Sequence, residues 1–181
     1  MMQFIILLRG VNVGGKNRVP MSELKQYLVD DGFTNVKSHI NSGNLIVESA
    51  EDTKQDVLIK CQKILLEHFT FPVEAVVLSD KEYQKELADI PIWWGEDEDY
   101  RHNALFLLPS ADKKEITELL SAIYTAYEKV YIGEHAVFWS SSFKKDYSKT
   151  YYSKLVSRPF YQQVTIRNRN TTLKLLNYLE N

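Results

Sequence analysis

The chain has 181 residues, enough for one ordinary domain or two small, closely joined halves. Its 44% hydrophobic content permits a proper core, and its net charge of −2 excludes a globally basic protein. The charge is unevenly placed: five Lys+Arg against three Asp+Glu over residues 1–40, nine against nineteen over 41–140, and eight against two over 141–181. The basic C-terminal stretch is therefore a candidate anion-facing surface.

Gln3–Leu8 is an apolar run that ends at Arg9. It is too short for a membrane span and reads as a buried first strand. No basic segment precedes it, which gives no sign of a signal peptide, and the expected setting is cytoplasmic, away from membranes. Cys61 is the single cysteine, so an intramolecular disulfide is excluded.

The strand feeds a loop, Arg9-Gly10-Val11-Asn12-Val13-Gly14-Gly15-Lys16-Asn17, that holds three of the seven glycines. Bare backbone N–H groups in such a loop can face an anion. Gly10 to Lys16 satisfies the spacing G-x-x-x-x-G-K. A nucleotide-binding P-loop, however, needs Ser or Thr where Asn17 stands, and it opens its helix at the lysine. Here Pro20 sets the helix start later.

Met21, Leu24, Tyr27 and Leu28 recur at helical spacing up to Asp31-Gly32. Val36–Ile40 and Leu45–Ser49 read as strands around Asn41-Ser42-Gly43-Asn44, a hairpin turn. A second helix is expected from Asp52 or Thr53, with Val57, Ile59, Cys61, Ile64, Leu65 and Phe69 on its apolar positions. Val73–Leu78 follows as a strand. The order is βαββαβ, that of a ferredoxin-like half. In such a half the loop after the first strand and the hairpin are expected at opposite ends of the sheet.

Asp80–Ala88 reads as a short helix and Ile90–Tyr100 as a connector with the acidic run Glu96–Asp99. Tyr100–Leu108 is expected as a strand. Asp112–Tyr127 is expected as a helix with Ile116, Leu119, Leu120 and Ile123 on one face. Val130–Ile132 and Ala136–Ser140 form a hairpin around Gly133-Glu134. Tyr147–Val156 reads as a helix, Val164–Ile166 as a strand and Thr171–Leu179 as a last helix with Leu173, Leu176 and Leu179 inward. The same topology thus repeats. The expected fold is α+β: two ferredoxin-like halves with antiparallel sheets, 1–88 and 89–181, plus a C-terminal helix.

Three segments could carry chemistry. The Gly loop is the first. The second is Arg167-Asn168-Arg169-Asn170-Thr171, where Asn170 or Thr171 can cap the last helix and free N–H groups could hold an anion. The third is Lys144–Arg158, which interleaves Lys144, Lys145, Lys149, Lys154 and Arg158 with Phe143, Tyr147, Tyr151 and Tyr152. Single-stranded nucleic-acid surfaces mix cations and rings in this way. At helical spacing, however, Tyr147, Tyr151 and Leu155 fall on one core-facing stripe. His39, His68, His102 and His135 are scattered, with no metal-ligand spacing. No nucleophile–base pair or G-x-S-x-G elbow is visible.

Several of these residues also carry a resemblance. Leu7 through Asn17, Pro20-Met21, Leu24, Ser42-Gly43-Asn44, Ser153-Lys154-Leu155, Thr165, Arg167-Asn168 and Asn170-Thr171 resemble, in order, an uncharacterised bacterial family, domain-of-unknown-function family 1697. Arg169 departs from the family pattern, which usually has an apolar or aromatic residue there. The resemblance implies a compact cytoplasmic protein of duplicated ferredoxin-like architecture, and it implies no established activity.

The sequence thus supports a binding module for a phosphorylated or otherwise anionic small ligand, a nucleotide among the candidates. Arg9, Lys16, Lys154 and Arg167 would supply charge. Gly10, Gly14 and Gly15 would supply backbone donors. Ser42 with Asn12, Asn17, Asn44, Asn168 and Asn170 would orient the ligand. The alternatives are single-stranded nucleic-acid binding through the C-terminal region, and a structural or partner-binding role. No cofactor, reaction or oligomeric state can be read from the residues.

Overall fold

The computed structural model describes residues 1–50, 53–123 and 125–180. Asp52, and Tyr124 within the expected fourth helix, lie outside the described residues. The chain divides into two compact units: Met1–Gln84 together with the chain from Leu173 onward, and Lys85–Thr172.

The first unit contains β1 (Met2–Leu8), α1 (Met21–Asp30), β2 (Thr34–His39), β3 (Asn44–Ser49), α2 (Lys54–His68) and β4 (Ala75–Ser79). Its antiparallel sheet has the order β2-β3-β1-β4, the ferredoxin-like arrangement. Phe4, Ile6 and Leu8 point to one face of β1, as the two-residue strand repeat requires. They join Leu24 and Leu28 of α1 and Val57, Cys61 and Leu65 of α2 in one buried cluster. Thr53 caps α2 through its side chain, which accepts from the Asp56 N–H.

Two expectations for this unit are corrected. Ile59 is 56% exposed, and Leu58 is buried in its place beside Val57. The α2 stripe follows the i, i+3, i+4, i+7 spacing through Val57, Leu58, Cys61, Ile64 and Leu65, and Ile59 is off it. The Gly loop and the hairpin also share one end of the sheet. β1 and β3 are antiparallel, with Leu7 opposite Asn44, so β1 ends where β3 begins. The Leu8 N–H donates to the Gly43 carbonyl at 2.8 Å.

α3 (Asp80–Ala88) leads toward β5 (Tyr100–Leu107), α4 (Lys113–Ser121), β6 (Glu128–Ile132), β7 (Ala136–Ser142), β8 (Val164–Asn168) and α5 (Arg169–Glu180). The second sheet, β6-β7-β5-β8, repeats the order of the first. The protein is an α+β fold of two ferredoxin-like halves with a C-terminal helix. Among the described residues no helix is long and apolar enough to cross a membrane.

The second half departs from expectation where its second helix should be. Residues 147–163 form three 3₁₀ turns, Tyr147–Lys149, Tyr152–Ser157 and Pro159–Gln163. The hydroxyls compete with a helical ladder. Thr150 Oγ1 donates to the Tyr147 carbonyl and accepts from the Ser153 N–H, and Ser157 Oγ donates to the Lys154 carbonyl. Pro159 holds Arg158 extended. The turns still cover the sheet, because Leu155 and Phe160 pack with Trp139, Ile116 and Val164. α4 ends at Ser121, short of Tyr127, and its Leu119 is 39% exposed. In α5 Leu175 is buried together with Thr171 and Thr172, and Leu173, Leu176 and Leu179 are only partly covered.

Glu128, on β6, organises this half. Its buried carboxylate accepts from Trp139 Nε1 (3.0 Å), Thr125 Oγ1 (2.7 Å) and the N–H groups of Tyr151 (2.7 Å) and Tyr152 (3.1 Å). It therefore ties the sheet to the start of the second 3₁₀ turn.

Candidate functional site

β8 ends at Asn168, and α5 begins immediately after it. Asn168 Oδ1 accepts from the Thr171 N–H at 2.8 Å, so Asn168 is the cap in place of Asn170 or Thr171. The helix starts two residues earlier than expected, because the cap residue is the last residue of the strand. This junction opens onto a cavity of about 570 Å³ in the second unit.

Asn168, Arg169 and Asn170 form one wall of the cavity, and Arg101, His102 and Asn103 of β5 form another. The pairing of Asn103 with Asn168 across β5 and β8 fixes their spacing. The Asn103 side-chain amide donates to the Tyr152 hydroxyl at 3.0 Å, and the Asn103 main-chain carbonyl accepts from Trp94 Nε1 at 3.0 Å. Burial, above all, pushes the Tyr152 phenol up to about 12, so it stays protonated at neutral pH.

The connector closes a third side. Gly95 has φ +109°, and a methyl group there would occupy the space of the Arg169 guanidinium. Arg169 lies 5.8 Å from the centroid of the Trp94 ring, and its Nε is buried without a hydrogen-bond partner among the described residues. The Arg101 guanidinium lies 3.4 Å from the centroid of the Phe143 ring. His102 Nδ1 accepts from the Gly95 N–H at 3.0 Å and meets Ser140 Oγ at 2.6 Å, while Nε2 lies 2.7 Å from the Asp97 carbonyl. A carbonyl can only accept, so the proton sits on Nε2. Two guanidinium groups thus flank the start of a twelve-residue helix, and no carboxylate is among the lining residues. Guanidinium groups and helix starts are groups that pair with oxyanions.

Sequence reasoning pointed to Asn168, Arg169 and Asn170, named Tyr152 only as one ring of a separate segment, and missed Arg101, Asn103 and Gly95. The available signal was the register: β5 lies beside β8, which brings residues 101–103 to the Asn168 end.

The other residues singled out from the sequence are placed differently. Arg167 is buried, and its Nη1 donates to Thr165 Oγ1 (2.8 Å) and the Ile166 carbonyl (2.9 Å). Lys154 is exposed on the second 3₁₀ turn and does not line the cavity.

In the first unit the Gly loop folds on itself. The Lys16 N–H donates to the Val13 carbonyl and the Asn12 N–H to the Asn17 carbonyl, both at 3.0 Å. Gly10, Gly14 and Gly15 take positive φ with open space around them, as tight turns need. Asn17 reaches back to the Gly10 carbonyl at 3.2 Å. The Asn12 amide donates to the carbonyls of Val19 (2.8 Å) and Asn41 (2.6 Å) and accepts from the Val19 N–H (2.8 Å). Asn44 is buried and donates to the His39 carbonyl and to Ser42 Oγ. Arg9 lies 3.8 Å from Glu74, and Lys16 is exposed.

A separate cavity of about 450 Å³ beyond His102 is bordered by Trp93, Glu96, Asp97 and Glu98. Among the described residues no group of three or more His, Cys, Asp or Glu is arranged to hold a metal ion.

Comparison with known proteins places this geometry. The solved structure of conserved bacterial protein SP0830 from Streptococcus pneumoniae is 35% identical, covers 98% of each chain and superposes with a TM-score of 0.90. Weak likenesses extend to the first two RRM domains of yeast poly(U) binding protein (Pub1), 12% identical over 91% of this chain and 98% of that chain at a TM-score of 0.26. Protein BT0572 from Bacteroides thetaiotaomicron is 9% identical over 97% and 95% at 0.23. Neither of these two bears on fold or function. No curated protein matches the chain. Residues 1–138 match the model of a family described as protein of unknown function (DUF1697), and the chain belongs to that family.

Proposed function

We propose that the protein binds a small anionic ligand in the cavity beside the start of α5. One observation carries this reading: Arg101 and Arg169 both line a cavity that no carboxylate lines. Each guanidinium keeps its charge throughout the accessible pH range. Neither makes an ion pair among the described residues, so the positive potential is left for a ligand. Asn170 and the Tyr152 hydroxyl add neutral polar groups that can orient it.

Asn168 serves this site by fixing the helix start. The exposed Lys16 of the Gly loop and the partly covered Arg9 keep a place in the proposal as a second anion-facing element, in the first unit. We also infer a cytoplasmic setting, supported by the lone and buried Cys61.

The test is a thermal-shift and calorimetric screen of the whole protein against mononucleotides, sugar phosphates, and short single-stranded DNA and RNA at two salt concentrations. A ligand specific to the native state raises Tm. The expected result is saturable binding of a small anion, lost in Arg101→Gln and Arg169→Gln and kept in Lys63→Gln, an exposed position on α2. Tight binding confined to polynucleotides, falling steeply with salt, would overturn the proposal in favour of a nucleic-acid surface. A flat response throughout would overturn both.

A further inference from the structure

The charge balance of the same cavity says more about its ligand. Arg101 faces the Phe143 ring, and Arg169 faces Trp94 and Gly95. The other titratable groups lining the cavity are His102 and Tyr152. Both nitrogens of His102 are engaged within the protein, by Gly95 and Ser140 on one side and Asp97 on the other. The Tyr152 phenol is neutral at physiological pH. The cavity therefore carries two fixed positive charges, and the N-terminal end of α5 adds roughly half a charge more. A monoanion leaves one guanidinium uncompensated, whereas a dianion balances both.

The volume bears on the rest of the ligand. At about 570 Å³ the cavity falls within the range that holds a small organic molecule, well beyond a bare oxyanion. Asn170 is exposed at its edge and can meet a polar organic group.

Resting on the anion-binding reading above, we infer that the ligand is a dianionic phosphomonoester whose phosphate sits between Arg101 and Arg169 and whose organic part fills the remaining cavity. Arg101 and Arg169 keep their charge between pH 5 and pH 8. Sulfate, a dianion throughout that range, reads any change on the protein side, so the pH dependence a monoester shows beyond that of sulfate belongs to the ligand. A phosphomonoester loses its second proton near pH 6. It is mostly monoanionic at pH 5 and dianionic at pH 8.

The experiment is calorimetric titration of the full chain with adenosine 5′-monophosphate, inorganic phosphate, sulfate and acetate at pH 5 and pH 8. The monoester is expected to bind about tenfold more tightly at pH 8, in line with its dianionic fraction. Sulfate should change less between the two pH values than the monoester does and should bind well above acetate. Arg101→Gln should remove the preference for sulfate over acetate, and Arg101→Lys should restore part of it. Circular dichroism checks that both variants are folded.

Equal binding of acetate and sulfate, or a monoester affinity that rises with pH no more than that of sulfate, would overturn the dianion and leave the anion site standing. Inorganic phosphate binding as tightly as the monoester would overturn the organic part. No binding of any of the four would bring down the anion site itself.

Discussion

The side-chain amide of Asn12 donates to the main-chain carbonyl of Asn41 at 2.6 Å, joining the loop after β1 to the β2–β3 hairpin. The same amide makes two further bonds with Val19, and Asn12 itself has φ 55°. The Gly-rich segment is thus closed by a side chain at its root. Asn12→Ala removes all three bonds and puts alanine in a left-handed conformation. The expected cost is about 2–3 kcal/mol. Asn12→Asp keeps only the bond from the Val19 N–H and sets a carboxylate against two carbonyls, so it should be no better than Ala. Urea denaturation of the three proteins checks this. Wild-type stability in Asn12→Ala would show that the amide is idle.

Gly43 and Gly14 make a matched pair of glycine tests. Both have positive φ, at +83° and +57°. A Cβ on Gly43 would lie 2.6 Å from Leu8 Cβ and 2.8 Å from Val11 Cγ2, whereas one on Gly14 meets nothing within 4 Å. Gly14→Ala should cost about 1 kcal/mol, the backbone penalty alone. Gly43→Ala adds a core clash and should cost on the order of 3 kcal/mol or more. Equal Tm values for the two variants would contradict the packing at the hairpin.

Glu128 should be among the costliest side chains to remove from the second unit. Glu128→Ala leaves Trp139 Nε1 and the Tyr151 and Tyr152 N–H groups without their acceptor. Each buried donor so stranded costs about 1–3 kcal/mol, and the expected total is above 3 kcal/mol. Glu128→Gln keeps one acceptor but turns an NH₂ toward donors, so it should recover little. Urea denaturation followed by tryptophan fluorescence, which reads Trp139 together with Trp93 and Trp94, checks this.

Burial pushes the Cys61 thiol from 9.0 up to about 12. The folded state thus binds the thiol proton more tightly than the unfolded state does. The stability linked to this proton is full below about pH 9 and is lost as pH rises from there toward 12. Two results should follow. Native protein at pH 8 should resist aromatic disulfide reagents until it is unfolded. Cys61→Ala should show a shallower loss of stability between pH 9 and pH 11 than the parent chain, where the Tyr152 phenol contributes in the same direction.

How far these features were legible in the sequence depended on the range of the cause. β1, α1 and the hairpin were legible because strand period, Pro20 and the Asn-Ser-Gly turn act locally. The shared end of the Gly loop and hairpin follows from antiparallel pairing of β1 with β3, and the expectation of opposite ends overlooked that pairing. Residues 147–163 carried a helical stripe, but local hydroxyl bonds and Pro159 overrode it while Leu155 still reached the core. The candidate site was half legible. Asn168 and Asn170 stood out beside a helix start, but Arg101 lies 67 positions before Asn168 and joins it only through the β5–β8 register. Glu128 looked like one acidic residue among many, since its four partners are scattered from Thr125 to Tyr152.

Glu86 on α3 gives the second unit one more property. Its buried Oε1 accepts from the N–H groups of His135 (2.9 Å) and Ala136 (3.0 Å). Gly133 packs so closely on this carboxylate that any added methyl would displace it. Turn amides at the tip of a hairpin ordinarily trade their hydrogens with solvent through small local openings. Here the His135 and Ala136 amides cannot be exposed without withdrawing a carboxylate that belongs to another element. Their deuterium uptake is thereby tied to the separation of α3 from the hairpin, making two turn amides a slow clock for the opening of the second unit.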